Sequence, residues 1–124
     1  MKKRILLSIH PEYAEAILMG HKGYEFRKVL FKEKVSEVLI YATSPVCRVI
    51  GKFEIEEIYS APPDDVWTKA KGVAGVTQEL FYAYFSGRAL AHAIKVSNPV
   101  KFARPKRLSQ YVKSNVPPQS FCYL

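Results

Sequence analysis

Apolar residues in this chain fall in short runs, broken at near-regular intervals by glycine, proline or charge. Ile5 to Ile9 is a run of strand length bounded by His10-Pro11, and it reads as a buried strand. Pro11 suits a first helical position, and Glu12 and Glu15 suit the positive end of a helix. Ala14, Ile17 and Leu18 recur at helical spacing, and Gly20 then stops the helix. Gly23 to Leu30 reads as a second strand and Lys32-Glu33-Lys34 as a charged turn. Glu37 to Ala42 is a third strand, with apolar side chains on both faces. Thr43-Ser44-Pro45 breaks it, and Cys47 to Tyr59 forms a fourth. Gly51 marks a bulge or bend there, and the alternation slips near Glu57, as at a second bulge.

The second half begins with helices. Pro62-Pro63-Asp64-Asp65 leads into one carrying Val66 and Trp67, which Gly72 and Gly75 end. Thr77 caps another, with Glu79 in its first turn, and Gly87 stops it. Leu80, Phe81, Tyr84 and Phe85 form its apolar stripe. Ala89 to Val96 is a strand that Asn98-Pro99 halts, and Val100 to Phe102 continues it past a bend. Ser109-Gln110-Tyr111 can hold one helical turn, and the terminal Phe121-Cys122-Tyr123-Leu124 is expected to dock on the body. Strands outnumber helices, and the links between the early strands are short. The fold class is therefore α+β: a mixed or antiparallel sheet of five to six strands, curled into a small barrel with two to three flanking helices.

Length adds one constraint: 124 residues favour a single domain over 1–124, with a core near 4–102 and a basic, aromatic tail over 103–124. Charge changes the picture more. The net charge is +8. Residues 1–60 hold 10 basic and 8 acidic side chains, whereas residues 61–124 hold 9 and 3. A cationic excess concentrated in one half suits a polyanionic partner, most often nucleic acid. The strip Lys101, Arg104, Lys106 and Arg107 contains no acid and would grip phosphates. An apolar share of 48% excludes a disordered chain. Cys47 and Cys122 lack metal spacing, and two isolated thiols fit a cytoplasmic protein without disulfides. No apolar run is long enough for a membrane span, and His10-Pro11 interrupts what would be a signal segment.

The candidate chemistry gathers at one corner. Met19-Gly20-His21-Lys22-Gly23-Tyr24-Glu25-Phe26-Arg27-Lys28 joins the first helix to the second strand. Strand alternation sends Glu25 and Arg27 to one face and Tyr24 and Phe26 to the other.

Several blocks here resemble the ASCH domain family, of PUA-like fold. They are Leu6-Leu7-Ser8-Ile9-His10-Pro11-Glu12-Tyr13, the Gly20-His21-Lys22 corner, and Glu25-Phe26-Arg27-Lys28. Ile40-Tyr41-Ala42-Thr43-Ser44-Pro45, Val49-Ile50-Gly51-Lys52-Phe53, Gly75-Val76-Thr77-Gln78-Glu79-Leu80-Phe81 and Ala91-His92-Ala93-Ile94 continue the pattern. The resemblance implies a PUA-like barrel with a cleft at the Gly-x-Lys and Glu-x-Arg corner. It implies an RNA or nucleotide-like ligand, and in some members hydrolysis of acetylated cytidine or of RNA. The amidohydrolase pattern pairs the lysine with a threonine three residues on and with a glutamate near the helical segment. Lys22 matches. Glu25 stands at the threonine position, and Ala70 to Ala74 contains no carboxylate.

Each candidate has two readings. Lys22, near Arg27 in a concave site, would be driven toward neutrality and act as a base; left charged, it would hold phosphate. Glu25 and Arg27 form an ion pair at the barrel mouth, or Glu25 accepts from a base amino group while Arg27 grips phosphate. Catalysis would rest on Lys22, with Glu25 or Glu79 assisting. His10, Thr43 and Ser44 are further polar candidates at chain corners. Tyr24, Tyr41, Trp67 and Phe102 are candidate stacking platforms, although Trp67, on a helix, reads first as a core residue. His21 and His92 lack partners at ligand spacing, so neither a metal nor a cofactor is expected. An RNA- or nucleotide-binding domain leads, a hydrolase follows, and a protein-interaction module using the aromatic tail is third.

Overall fold

The computed structural model describes residues 3–124. Six strands form one sheet: β1 (Arg4–Ile9), β2 (Tyr24–Arg27), β3 (Glu37–Ala42), β4 (Arg48–Ala61), β5 (Ala91–Lys106) and β6 (Phe121–Tyr123). Their spatial order is β2-β5-β4-β3-β1-β6. β1 and β3 are parallel, and every other neighbouring pair is antiparallel. Three helices flank the sheet: α1 (Pro11–Leu18), α2 (Pro63–Ala70) and α3 (Gln78–Tyr84). This is a mixed, mostly antiparallel, curled sheet of the small PUA-like α+β kind.

Helix ends follow their sequence signals. Pro11 opens α1, and Gly20 takes φ +85° just beyond its end, a conformation that costs glycine nothing. The Thr77 hydroxyl accepts from the Leu80 amide at 3.2 Å and caps α3. Bulges fall where the alternation slips: the β4 ladder shifts register beside Gly51 and again between Ile55 and Glu57.

Two expectations change. Asn98-Pro99 does not halt a strand. Asn98 adopts φ 49°, and β5 takes up one extra residue against β4 there before running on to Lys106. Asparagine tolerates the left-handed region, so the chain bends without leaving the ladder. The second strand is shorter than its apolar pattern suggests and ends at Arg27.

The core has a large and two smaller parts. Ile5, Leu7, Ile17, Ile40, Phe53 and Ile94 lie at the centre of the first. The second packs Phe26 of β2 against Phe81 of α3 and Phe85 just after it, with Val66 and Ala70 of α2. Leu6, Leu39, Tyr41 and Val49 pack with Leu108 on the opposite face. The terminal residues dock as expected. β6 pairs with β1, and the Tyr123 hydroxyl accepts from the amides of Lys32 and Glu33 at 3.0 and 3.1 Å.

Curling brings the free edge of β2 toward the other side of the sheet. Arg27 bridges the gap: Nη2 donates to the Ser8 carbonyl at 3.0 Å and Nη1 to Ser120 Oγ at 3.1 Å. A side chain therefore completes a closure that the backbone ladder leaves open.

Candidate functional site: a cleft over a buried lysine

α1 ends in a tight turn in which the amides of His21 and Lys22 both donate to the Ala16 carbonyl, at 2.9 and 3.1 Å. This turn throws Lys22 inward instead of toward solvent. Its side chain is 3% exposed and lies against aromatic rings, with Nζ 4.6 Å from the Phe26 centroid and 5.6 Å from that of Tyr13. Nζ donates to the Ala74 carbonyl at 2.8 Å. Gly75 completes the seat. It has φ +71°, and a Cβ there would stand 2.4 Å from Lys22 Cγ. Only glycine supplies both the backbone turn and the space for the lysine stem.

Burial lowers the Lys22 pKa to about 8, and the nearby Glu25 charge opposes that fall. The direction matches the sequence reading, but the cause differs. Removal from water drives the shift, not repulsion by Arg27, whose guanidinium is turned elsewhere.

Glu25 is 7% exposed and pairs with Arg27, Oε2 to Nη2, at 2.9 Å. Arg27 is thus committed to Glu25, Ser8 and Ser120 at once, while its buried Nε has no partner. Of the two readings for this pair, the geometry favours the ion pair that closes the barrel mouth.

Ser8, His10, Tyr13, Lys22, Glu25, Phe26, Arg27, Leu80, Phe81 and Tyr84 line a cleft of about 520 Å³, a size typical of small-ligand sites. Four of the expected site residues, His10, Lys22, Glu25 and Arg27, therefore come together. His10 caps α1 and accepts from the Glu12 amide.

The others lie apart from the cleft. Thr43 and Ser44 occupy the turn after β3. Lys101 pairs with Glu15 at 2.9 Å, Lys106 stacks on Phe102, and Arg104 is exposed. Arg107 lines a second pocket. Glu79 is exposed in the first turn of α3 and does not border the cleft. At the segment where the amidohydrolase pattern has a carboxylate, this chain presents the Ala74 carbonyl to Lys22.

The aromatic walls are not those anticipated. Tyr24 and Tyr41 are buried in the second and third core parts, Trp67 packs on Phe81, and Phe102 lies beside the third core part. Tyr13, Phe26, Phe81 and Tyr84 line the cleft instead. Phe81 of α3 and Phe85, which caps its end, are both 2% exposed, whereas Leu80 and Tyr84 are 53% and 41% exposed. One helical stripe is thus divided between core and cleft.

With this geometry in view, the comparisons decide the family. The model of the ASCH domain matches residues 7–100. The chain belongs to the ASCH domain family. A Zymomonas mobilis protein named ASCH domain-containing ribonuclease is 30% identical over 126 residues, covering 99% of this chain and 85% of that protein. The crystal structure of ASCH from Zymomonas mobilis superimposes with a TM-score of 0.91 at 31% identity, over 98% of this chain and 87% of that one. A Ureaplasma parvum protein named ATP synthase subunit alpha is 33% identical over 124 residues, but this chain spans only 15% of its length. The ASCH unit thus also matches a short part of a much longer protein. No helix among the described residues is long and apolar enough to cross a membrane.

Proposed function

We propose that this ASCH domain binds RNA, taking one nucleotide into the cleft above Lys22. One observation carries the reading: a buried amine with its pKa near 8 lies at the base of an aromatic-walled cleft of nucleotide scale. At pH 7 most of Lys22 is still an ammonium, able to attract a phosphate or donate a hydrogen bond to a base carbonyl. Tyr13 and Tyr84 offer ring faces for a base, a sequence-tolerant contact typical of single-stranded RNA readers. The net charge of +8 would steer the polyanion toward the surface.

The same amine supports a second reading, RNA cleavage. Near pH 8 about half of Lys22 is neutral and can take a proton from a ribose 2′-hydroxyl. The freed oxygen would attack the adjacent phosphorus, and the 5′-oxygen would leave with a proton from a second group. His10, which also lines the cleft, would supply that proton. The ribonuclease named in Zymomonas mobilis adds support.

Both readings are tested on labelled single-stranded RNA with wild type and Lys22→Ala. Binding should weaken steeply with salt and fall at least about tenfold in the variant. Salt-insensitive binding, or binding unchanged in Lys22→Ala, would defeat the first reading. Turnover that survives in Lys22→Ala would defeat the second.

A further inference from the structure

We propose that the pocket lined by Tyr41, Cys47, Arg48, Arg107, Ser109 and Asn115 is a subsite for a phosphate of an RNA strand held in the cleft. The inference rests on the cleft reading above and extends it to a second place on the molecule. The pocket measures about 470 Å³ and has no carboxylate in its lining.

Arg48 opens β4, and Arg107 follows directly after the last residue of β5. Val49 of β4 faces Lys106 of β5 in antiparallel register, so Arg48 and Arg107 are the next residues at the same end of that pair. Like charges lining one pocket are mutually unfavourable unless an anion lies between them. Several cations elsewhere on the surface are matched. Lys52 pairs with Glu37, Lys69 with Glu57, Lys95 with Glu56, and Lys101 with Glu15. Among the described residues, neither Arg48 nor Arg107 has a carboxylate within ion-pair distance. The Arg48 side chain donates to the Cys47 carbonyl at 2.9 Å, which holds it at the pocket but leaves most of its donors free.

Guanidinium is the cation best matched to phosphate, because its fork can donate two parallel hydrogen bonds. Ser109 and Asn115 add neutral donors of the kind that usually accompany such contacts.

Topology connects the two pockets. Ser8 lines the cleft, and its parallel register partner on β3, Tyr41, lines the second pocket. Both pockets therefore open at the same end of the sheet, one strand apart. A chain with one nucleotide over Lys22 can cross that end and set a later phosphate between the arginines. A mononucleotide cannot reach both.

The experiment compares wild type with the double variant Arg48→Gln, Arg107→Gln. Both residues are exposed, so the fold is retained. An eight-nucleotide single-stranded RNA, a ribonucleotide monophosphate and inorganic phosphate are titrated, with affinity, salt slope and backbone amide shifts as readouts. The double variant should bind the octanucleotide at least about tenfold more weakly. Its salt slope should fall by about 0.7, the equivalent of one phosphate contact to a single strand. Its affinity for the monophosphate should be unchanged. In the wild type the octanucleotide should shift amides at both His10 and Arg48.

Octanucleotide affinity and slope unchanged in the variant would overturn the proposal. Amides near Arg48 that respond to inorganic phosphate but not to RNA would overturn it too, and assign the pocket to free phosphate. Shifts near Arg48 with the cleft silent would leave this subsite standing and defeat the cleft reading instead.

Discussion

Lys22 costs the folded chain stability, and the sign of that cost is testable. The unfolded chain holds the proton up to the ordinary lysine value of 10.5, whereas the folded chain releases it near 8. Between those values the unfolded state binds more protons, so stability rises with pH across this window. Below pH 8 the penalty is fully present, on the order of 3 kcal/mol. Lys22→Met keeps the apolar stem and removes the charge, but it leaves the Ala74 carbonyl without its donor, a loss of about 1 kcal/mol. The variant should therefore be more stable than wild type at pH 7 by about 1–2 kcal/mol. Denaturant unfolding at a series of pH values should show this gain shrinking toward pH 10.5. A variant less stable than wild type at pH 7 would contradict the buried-charge account. A residue kept at such a cost, in a chain otherwise rich in exposed lysine, is what a functional site requires.

At the scale of elements, the lysine is seated by two turns that never touch in sequence. The end of α1 aims it, and the link between α2 and α3 receives it. The Gly23 amide donates to the Val73 carbonyl at 2.7 Å, so the two turns are tied together directly. Gly75→Ala would force a non-glycine residue into the left-handed region and drive a methyl group into the Lys22 stem. Strain and overpacking together should cost about 2–4 kcal/mol, and RNA binding should fall with them. Gly72→Ala is the control: nothing lies within 4 Å of a Cβ built there, and its φ is ordinary. Thermal unfolding of the two variants checks the contrast, and equal melting temperatures would refute it.

The whole molecule depends on Arg27 more than on any other charged residue described above. It joins the edge of β2 to β1 and to the segment entering β6, and it neutralises the buried Glu25 carboxylate. Arg27→Met should cost about 3–5 kcal/mol by stranding that carboxylate. Adding Glu25→Gln should recover part of the loss, as a double-mutant cycle by chemical denaturation would show. Two additive single effects would mean that the pair is uncoupled.

Much of this architecture could be read directly from the chain. The helix stops at Gly20 and Gly87, the Thr77 cap, the bulges of β4 and the docked tail follow local rules of backbone geometry and alternation. The family resemblance located the corner that holds Lys22 and Glu25. Other features depended on tertiary contacts. Alternation assigned Arg27 to a strand face but could not say that the sheet would curl until that face met Ser8 and Ser120. Helical spacing grouped Tyr84 with Phe85, and only the position of α3 over the cleft separates them. Arg48 carried no motif at all. Its significance comes from β5 continuing past Pro99 and placing Arg107 beside it.

The central claim is that Lys22 is a buried amine in contact with RNA. Its side-chain titration, followed by NMR with the protein free and then saturated with a short single-stranded RNA, tests both parts at once. The free protein should titrate near pH 8. Bound RNA should raise that midpoint by about one pH unit or more, because a phosphate within a few ångströms favours the ammonium. By linkage, affinity should then weaken as pH rises above 8. A free midpoint at the ordinary lysine value of 10.5, or one that RNA leaves unmoved, would contradict the account.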